Sequence, residues 1–217
     1  MHVYSHLGQA ELSLARVRGV SRLTNAERYK LIQVAQAVGA DPDLLAATIS
    51  LETGGTFSPA ISNPRTSATG LIQFLPSTAR SLGTSVGELR GMSVCEQLDF
   101  VEQFYRRVAG GGIRVPGDEY VAVLAPAFLG SPAGTSVYRR GSPEYDQNRG
   151  LDLDDDGVIT VGELRQNIIN RVPGGERIAV IYEICRGRGI SVRGLLPPLL
   201  IVAAGVALFW GTLKVKR

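Results

Sequence analysis

Residues 44–79 read LLAATISLETGGTFSPAISNPRTSATGLIQFLPSTA, and the fold follows from how that stretch starts and stops. Asp41 is a good N-cap and Pro42 suits a first helical turn, so a helix begins there. Leu44, Leu45, Thr48, Ile49 and Leu51 then recur at helical spacing and can pack inward, and Gly54-Gly55 supply a stop. Glu52 falls on the last turn. A carboxyl carried to a helix end by an apolar helix is partly desolvated, which disfavours its charged form and raises its pKa. That is what a general acid working near neutral pH needs. From position alone, a solvated glutamate at a helix end is the competing reading.

The same signals extend outward along the chain. Thr24-Asn25-Ala26-Glu27 reads as a capping box opening a helix that ends near Gly39, with Leu31, Ile32, Ala35 and Val38 inward. Ser93-Val94-Cys95-Glu96 is a second capping box, and the helix behind it buries Leu98, Val101, Tyr105 and Val108 before Gly110-Gly111-Gly112. That glycine run lacks a following lysine and helix start, so it is a loop and not a phosphate cradle. A further helix is predicted over Glu119 to Leu129, bent or broken at Pro126. No alternation of strand period is sustained anywhere, so the fold class is all-α or nearly so.

Composition narrows the function classes. With 217 residues, 44% of them hydrophobic, the chain can bury one proper core and carry an accessory segment. A formal charge of +3 without a basic stripe gives no nucleic-acid footprint. Cys95 and Cys185 are the only cysteines, and either two thiols or one disulfide fits. His2 and His6 stand alone near the N-terminus, and no zinc-type spacing exists. The opening MHVYSHLGQAELSLARVRGV lacks a continuous apolar core and a small-residue cleavage site, so it is not read as a secretory signal.

Between Asp152 and Glu163 the chain reads DLDDDGVITVGE. Carboxylates fall at loop positions 1, 3 and 5 (Asp152, Asp154, Asp156), glycine at 6 (Gly157), an apolar residue at 8 (Ile159) and glutamate at 12 (Glu163). Val158 would offer its carbonyl, and Thr160 would act directly or through water. This is an EF-hand-like loop whose hard oxygen ligands suit a structural Ca²⁺; the competing reading is a solvated acidic turn. No strong entering helix is evident, because Asn148, Arg149 and Gly150 precede the loop.

The C-terminal stretch GLLPPLLIVAAGVALFWGTL, Gly194 to Leu213, is twenty residues without a charge. That length crosses a hydrocarbon core of roughly 30 Å as a helix. Trp210 sits at an interfacial position, and Lys214, Lys216 and Arg217 close the chain. Arg186, Arg188 and Arg193 balance them on the other side, so charge gives no orientation.

Around Glu52 the residues also carry a family pattern. Glu52-Thr53, the turn Phe57-Ser58-Pro59-Ala60, and Gly70-Leu71-Ile72-Gln73-Phe74-Leu75-Pro76-Ser77-Thr78-Ala79 together resemble the lytic transglycosylase family. The resemblance covers about half the chain, from Leu31 to Gly130. Ile72 stands where the family usually has methionine. Ala127-Phe128-Leu129-Gly130 stands where it has Ala-Tyr-Asn-x-Gly.

The resemblance implies a lysozyme-like, mainly helical domain that cleaves peptidoglycan glycan strands without a catalytic cofactor. Glu52 would be the acid and then the base, and Thr53, Gly70, Leu71, Gln73, Phe74 and Phe128 would bind substrate. The expected organisation is an N-terminal segment 1–22, a transglycosylase domain 23–185 containing loop 152–163, a basic linker 186–194, a transmembrane helix 195–213 and a basic tail 214–217. A single-pass, membrane-anchored wall enzyme without an export signal fits a phage particle, with other virion proteins as partners, opening the host wall during genome entry. A lysozyme-like hydrolase or endolysin, and a non-catalytic glycan-binding virion protein, are the alternatives.

Overall fold

A computed structural model describes Leu14 and residues 17–175, and over these the chain is mainly helical. The helices are α1 (Asn25–Val38), α2 (Pro42–Glu52), α3 (Pro76–Ser81), α4 (Val86–Gly91), α5 (Val94–Ala109), α6 (Asp118–Leu124), α7 (Pro143–Asn148) and α8 (Val161–Ile169). One antiparallel ladder joins β1 (Ser136–Arg139) to β2 (Val158–Thr160), with Tyr138 opposite Ile159 and Arg139 opposite Val158. These strands were not foreseen: four and three residues are too few to display an alternating pattern.

Caps set the helix starts as the sequence predicts. Thr24 with Glu27 and Ser93 with Glu96 form reciprocal capping boxes, and Asp41 accepts from the Asp43 and Leu44 amides. Two more boxes, Ser85 with Glu88 and Thr160 with Glu163, open α4 and α8. Each such cap contributes about 1 kcal/mol. The helix expected over Glu119–Leu129 divides: α6 stops at Leu124, and Pro126–Phe128 forms a 3-10 turn because proline has no amide to continue the ladder.

At the centre lies α2. Leu44 through Ile49 are all essentially inaccessible and Ser50 is 8% exposed, so this helix is buried all round and not on one face. Ala46 and Ala47 supply the reason, since small side chains let neighbours close in on what would otherwise be an outer face. Helices α1, α6 and α8 all pack against α2, and α1 packs along α5. Leu98, Val101 and Tyr105 of α5 are buried as predicted, each such side chain contributing roughly 1.5–3 kcal/mol.

The core reaches past the expected domain boundary at residue 23. Leu14, Val17 and Val20 belong to the same hydrophobic cluster as the central helices, as do Ile159, Val161, Leu164 and Ile168 from the acidic loop and α8. The loop is therefore built into the core. A helix does enter it: α7 and a 3-10 turn, Arg149–Leu151, precede Asp152. Pro143 at the start of α7 and the Ser142 cap outweigh the weak helix formers Asn148 and Gly150.

Among the described residues, no helix is long and apolar enough to cross a membrane. The transmembrane segment 195–213, the linker 186–194, the tail 214–217 and Cys185 lie outside them. Cys95 is a partly buried free thiol.

A buried ion pair fastens α6 to α8. Arg165 Nε donates to Asp118 Oδ1 at 2.7 Å, with the side chains 11% and 3% exposed, and Arg165 Nη2 donates to the Ser131 carbonyl. Burial raises the Asp118 pKa even with this guanidinium beside it. Breaking such a pair leaves a lone buried charge, so Arg165→Leu is expected to lower unfolding free energy by about 3 kcal/mol. Urea denaturation checks this, and a loss below about 1 kcal/mol would contradict the assignment.

Candidate active site and acidic loop

Glu52 is the last residue of α2, where the buried helix meets the surface. Its side chain is half-buried, and among the described residues its carboxyl has neither a hydrogen bond nor an ion pair. Burial raises its pKa to about 7. The partial negative charge at a helix C-terminus acts in the same direction. No other carboxylate contributes to the shift, so Glu52 stands without an acidic partner.

The turn after Glu52 is locked from within. The Thr53 hydroxyl donates to the Ile49 carbonyl at 2.7 Å and accepts from the Phe57 amide at 3.1 Å. Thr53 is fully buried, so its hydroxyl serves this turn and is not offered to a ligand. Phe57 has a φ of 53°, a left-handed conformation that a bulky residue adopts only when its surroundings hold it there.

The Gly70–Gln73 stretch is the tip of a tight hairpin. Thr69 and Phe74 exchange both backbone hydrogen bonds, and Gly70 and Gln73 take positive φ values of 85° and 51°. Gln73 Nε2 donates to the Gly70 carbonyl at 3.1 Å. Gly70, Leu71 and Phe74 are buried, so they build the hairpin, whereas Gln73 and Phe128 keep partial exposure. The Phe74 ring meets Phe104 edge to face, and Phe104 meets Tyr105 likewise.

One residue that the sequence reading passed over joins these parts. Gln97 on α5 is fully buried. Its Oε1 accepts from the Leu71 amide at 2.6 Å, and its Nε2 donates to the Pro59 and Leu89 carbonyls. A chain of contacts thus runs from Thr53 through Phe57 and Pro59 to Gln97 and the hairpin. The signal was an amide one residue before Leu98 and four before Val101, on a stripe that is otherwise apolar. Gly70 exists for the same contact, since a Cβ there would lie 2.2 Å from Gln97 Oε1.

Glu119 was also missed. It is buried, accepts from the Asp41 and Gly117 amides at 2.9 Å each, and its carbonyl accepts from the Tyr105 hydroxyl at 2.8 Å. Burial raises its pKa to about 8 and that of the neighbouring Asp41 to about 6. It is a clamp between the start of α2 and α6.

In the acidic loop the structure brings Asp152, Asp154 and Asp156 together, with candidate ligand atoms within 4.8 Å of one another. Asp152 Oδ2 accepts from the Tyr145 hydroxyl at 2.6 Å and the Gly157 amide at 2.9 Å, while its buried Oδ1 has no partner. Tyr145 holds the Asp152 pKa below the usual carboxylate range. Gly157 has a φ of 90°, as the predicted sharp turn requires. Glu163 lies outside the three-aspartate cluster: Oε1 accepts from the Leu153 amide, and Oε2 from the Thr160 amide and hydroxyl. Thr160 is therefore engaged as the α8 cap. Val158 sits in β2, and Arg140 Nη2 reaches Asp155 Oδ1 at 3.0 Å. A clustered carboxylate set with one orphaned buried oxygen could hold a hard divalent cation.

The Glu52 pKa sets a pH test. The folded protein retains the proton between the ordinary value of 4.5 and about 7, so stability from this group falls as pH rises through that window. Glu52→Gln removes the penalty. It should stabilise the protein at pH 8 relative to pH 5 by on the order of 2 kcal/mol, read from melting curves of both proteins. A pH-independent difference would contradict the burial argument.

No protein-family model matches this chain, and no curated protein or solved structure matches it either.

Proposed function

We propose that the chain is a peptidoglycan lytic transglycosylase with a lysozyme-like fold and Glu52 as its acid and base. The observation that carries this reading is the lone, apolar-packed carboxyl of Glu52, with a pKa near 7 and no second acid contributing to it. The motif resemblance around Glu52 and Gln73 supplies the substrate class.

The chemistry needs one carboxyl. Protonated Glu52 gives its proton to the glycosidic oxygen between N-acetylmuramic acid and N-acetylglucosamine as the bond to the anomeric carbon breaks. The resulting Glu52 carboxylate takes the proton of the muramic 6-hydroxyl, whose oxygen closes on the same anomeric carbon as a 1,6-anhydro ring. The substrate's acetamido group stabilises the intervening cationic centre. Glu52 is reprotonated, water is not consumed, and no cofactor takes part. A two-carboxylate hydrolase needs a second acid to activate water, whereas no second carboxylate contributes to the Glu52 pKa.

Calcium enters the proposal as a structural ion. Asp152, Asp154 and Asp156 would hold it with the Val158 carbonyl, Thr160 directly or through water, and Glu163 turning from its capping position. The biological setting proposed for the chain is a single-pass membrane anchor, attachment to a phage particle and local opening of the host wall.

Two experiments test these claims. The full 217-residue chain in mild detergent, with and without Glu52→Gln, is incubated with peptidoglycan sacculi and the released fragments are weighed. Anhydro-muramic ends from the parent alone are expected; reducing ends, one water heavier, would make it a hydrolase, and no fragments a binding protein. Separately, Glu163→Gln should lower the calcium-free melting temperature somewhat, because glutamine can complete the Thr160 capping box with its one oxygen but cannot also accept from the Leu153 amide. It should abolish the rise that millimolar calcium gives the parent. A parent that melts at the same temperature with and without calcium would sink the metal site.

A further inference from the structure

Between Asp152 and Glu163 the loop carries Asp152, Asp154, Asp155, Asp156 and Glu163, and most of these carboxylates bond to the loop's own amides. Asp152 Oδ2 accepts from Gly157, Asp154 Oδ1 from Asp156, Asp156 Oδ1 from Val158, and Glu163 from Leu153 and Thr160. Asp152 differs in one respect. Its side chain is 1% exposed, and its Oδ1 is buried beside the cluster without a partner. That orphaned oxygen, more than the acidity, points to a cation.

A cation of the chain already stands at this loop. Arg140 follows β1, and its amide donates to the Gly157 carbonyl at 2.8 Å, so its side chain falls across the sharp turn. Arg140 Nη2 donates to Asp155 Oδ1 at 3.0 Å, to the Asp155 carbonyl at 3.2 Å and to the Tyr145 hydroxyl at 3.4 Å. The same nitrogen lies 3.9 Å from Asp152 Oδ2, to which Tyr145 donates at 2.6 Å. A Cβ at Gly157 would stand 3.2 Å from Arg140 Nε, so this glycine leaves room for the guanidinium as well as turning the chain. Among the described residues, the ion pairs to the loop's carboxylates all come from Arg140.

We propose that Arg140 is the resident counter-cation of the empty loop and weakens its grip on calcium by opposing the charge of the incoming ion. This rests on the reading of the loop as a calcium site. Two effects of the guanidinium compete. Its bonds to Asp155 help hold that residue in its left-handed conformation, φ 58°, which would favour binding by prearranging the loop. Both side chains of that pair are exposed, however, Arg140 by 58% and Asp155 by 86%, and exposed pairs hold little. The amide bonds within the loop fix its shape without Arg140. Repulsion between a guanidinium and a divalent ion is twice that between single charges at the same distance, and at low salt it is scarcely screened. Repulsion therefore governs.

The test is calorimetric titration of the full chain, in mild detergent and freed of metal, with calcium chloride at about 10 mM ionic strength, where the screening length is roughly 30 Å. Arg140→Gln should bind calcium at least fivefold more tightly than the parent, and the gap should close towards 1 M salt. Arg140→Lys keeps the charge but not the planar fork, and its affinity should stay within about twofold of the parent. The calcium-free melting temperature of Arg140→Gln should fall slightly, because the carboxylates lose their counter-charge.

Equal or weaker calcium binding by Arg140→Gln would overturn the proposal, and weakening in both variants would make Arg140 a clamp instead. A gain in affinity that persists unchanged at high salt would also overturn it, since charge would not be its cause. A parent chain that takes up no calcium would remove the metal site itself, and this role with it.

Discussion

Burial of α2 on every side is the constraint from which the candidate site follows. A helix with neighbours all round has only its ends at the surface. Its last residue, Glu52, therefore meets solvent with apolar packing behind it and the negative end of the helix beneath it. Nothing polar in the described chain compensates the charge, and the carboxyl holds its proton to about pH 7. The surrounding parts keep this arrangement in place. Glu119 clamps the start of α2, Thr53 and the left-handed Phe57 fix the turn behind Glu52, and Gln97 holds the hairpin to α5.

The acidic loop is tied into the same frame. Ile159 is fully buried in the common core and lies opposite Tyr138 in the ladder, while α8, which follows the loop, packs on α2 and α6. A cation in the loop would therefore act on more than its own ligands. It would draw together carboxylates that repel one another, and stiffen the ladder on which Tyr138 sits. In the described geometry Glu163 caps α8, and the same residue is the expected twelfth-position ligand. Capping and the proposed metal binding would thus be alternative uses of one side chain.

Much of this was legible in the sequence because the signals were local. Capping boxes at Thr24 and Ser93, the Asp41-Pro42 start, the Gly39 exit and the break at Pro126 are each written within four residues. Glu52 was singled out by its place at the end of an apolar run, and the carboxylate spacing of the loop by its own periodicity. What escaped were contacts between distant segments. The all-round burial of α2 depends on α6 and α8, which lie more than 65 residues onward. Gln97 and Glu119 looked like ordinary polar helix residues until their backbone partners at Leu71, Pro59 and Asp41 were in view. Thr53 and Leu71 were assigned to substrate because of motif position, but the structure buries both. The ladder was too short to leave a pattern, and α7 was hidden by Gly150.

The central claim is that burial at the end of α2, without a second acid, keeps the Glu52 carboxyl protonated near neutral pH. Its most direct test is a ¹³C NMR titration of the Glu52 side-chain carboxyl in the intact chain, with Glu52→Gln to assign the resonance. A midpoint near 7 is what the account requires. A midpoint near the ordinary 4.5 would mean that Glu52 is solvated, and the proposed acid would be lost with it.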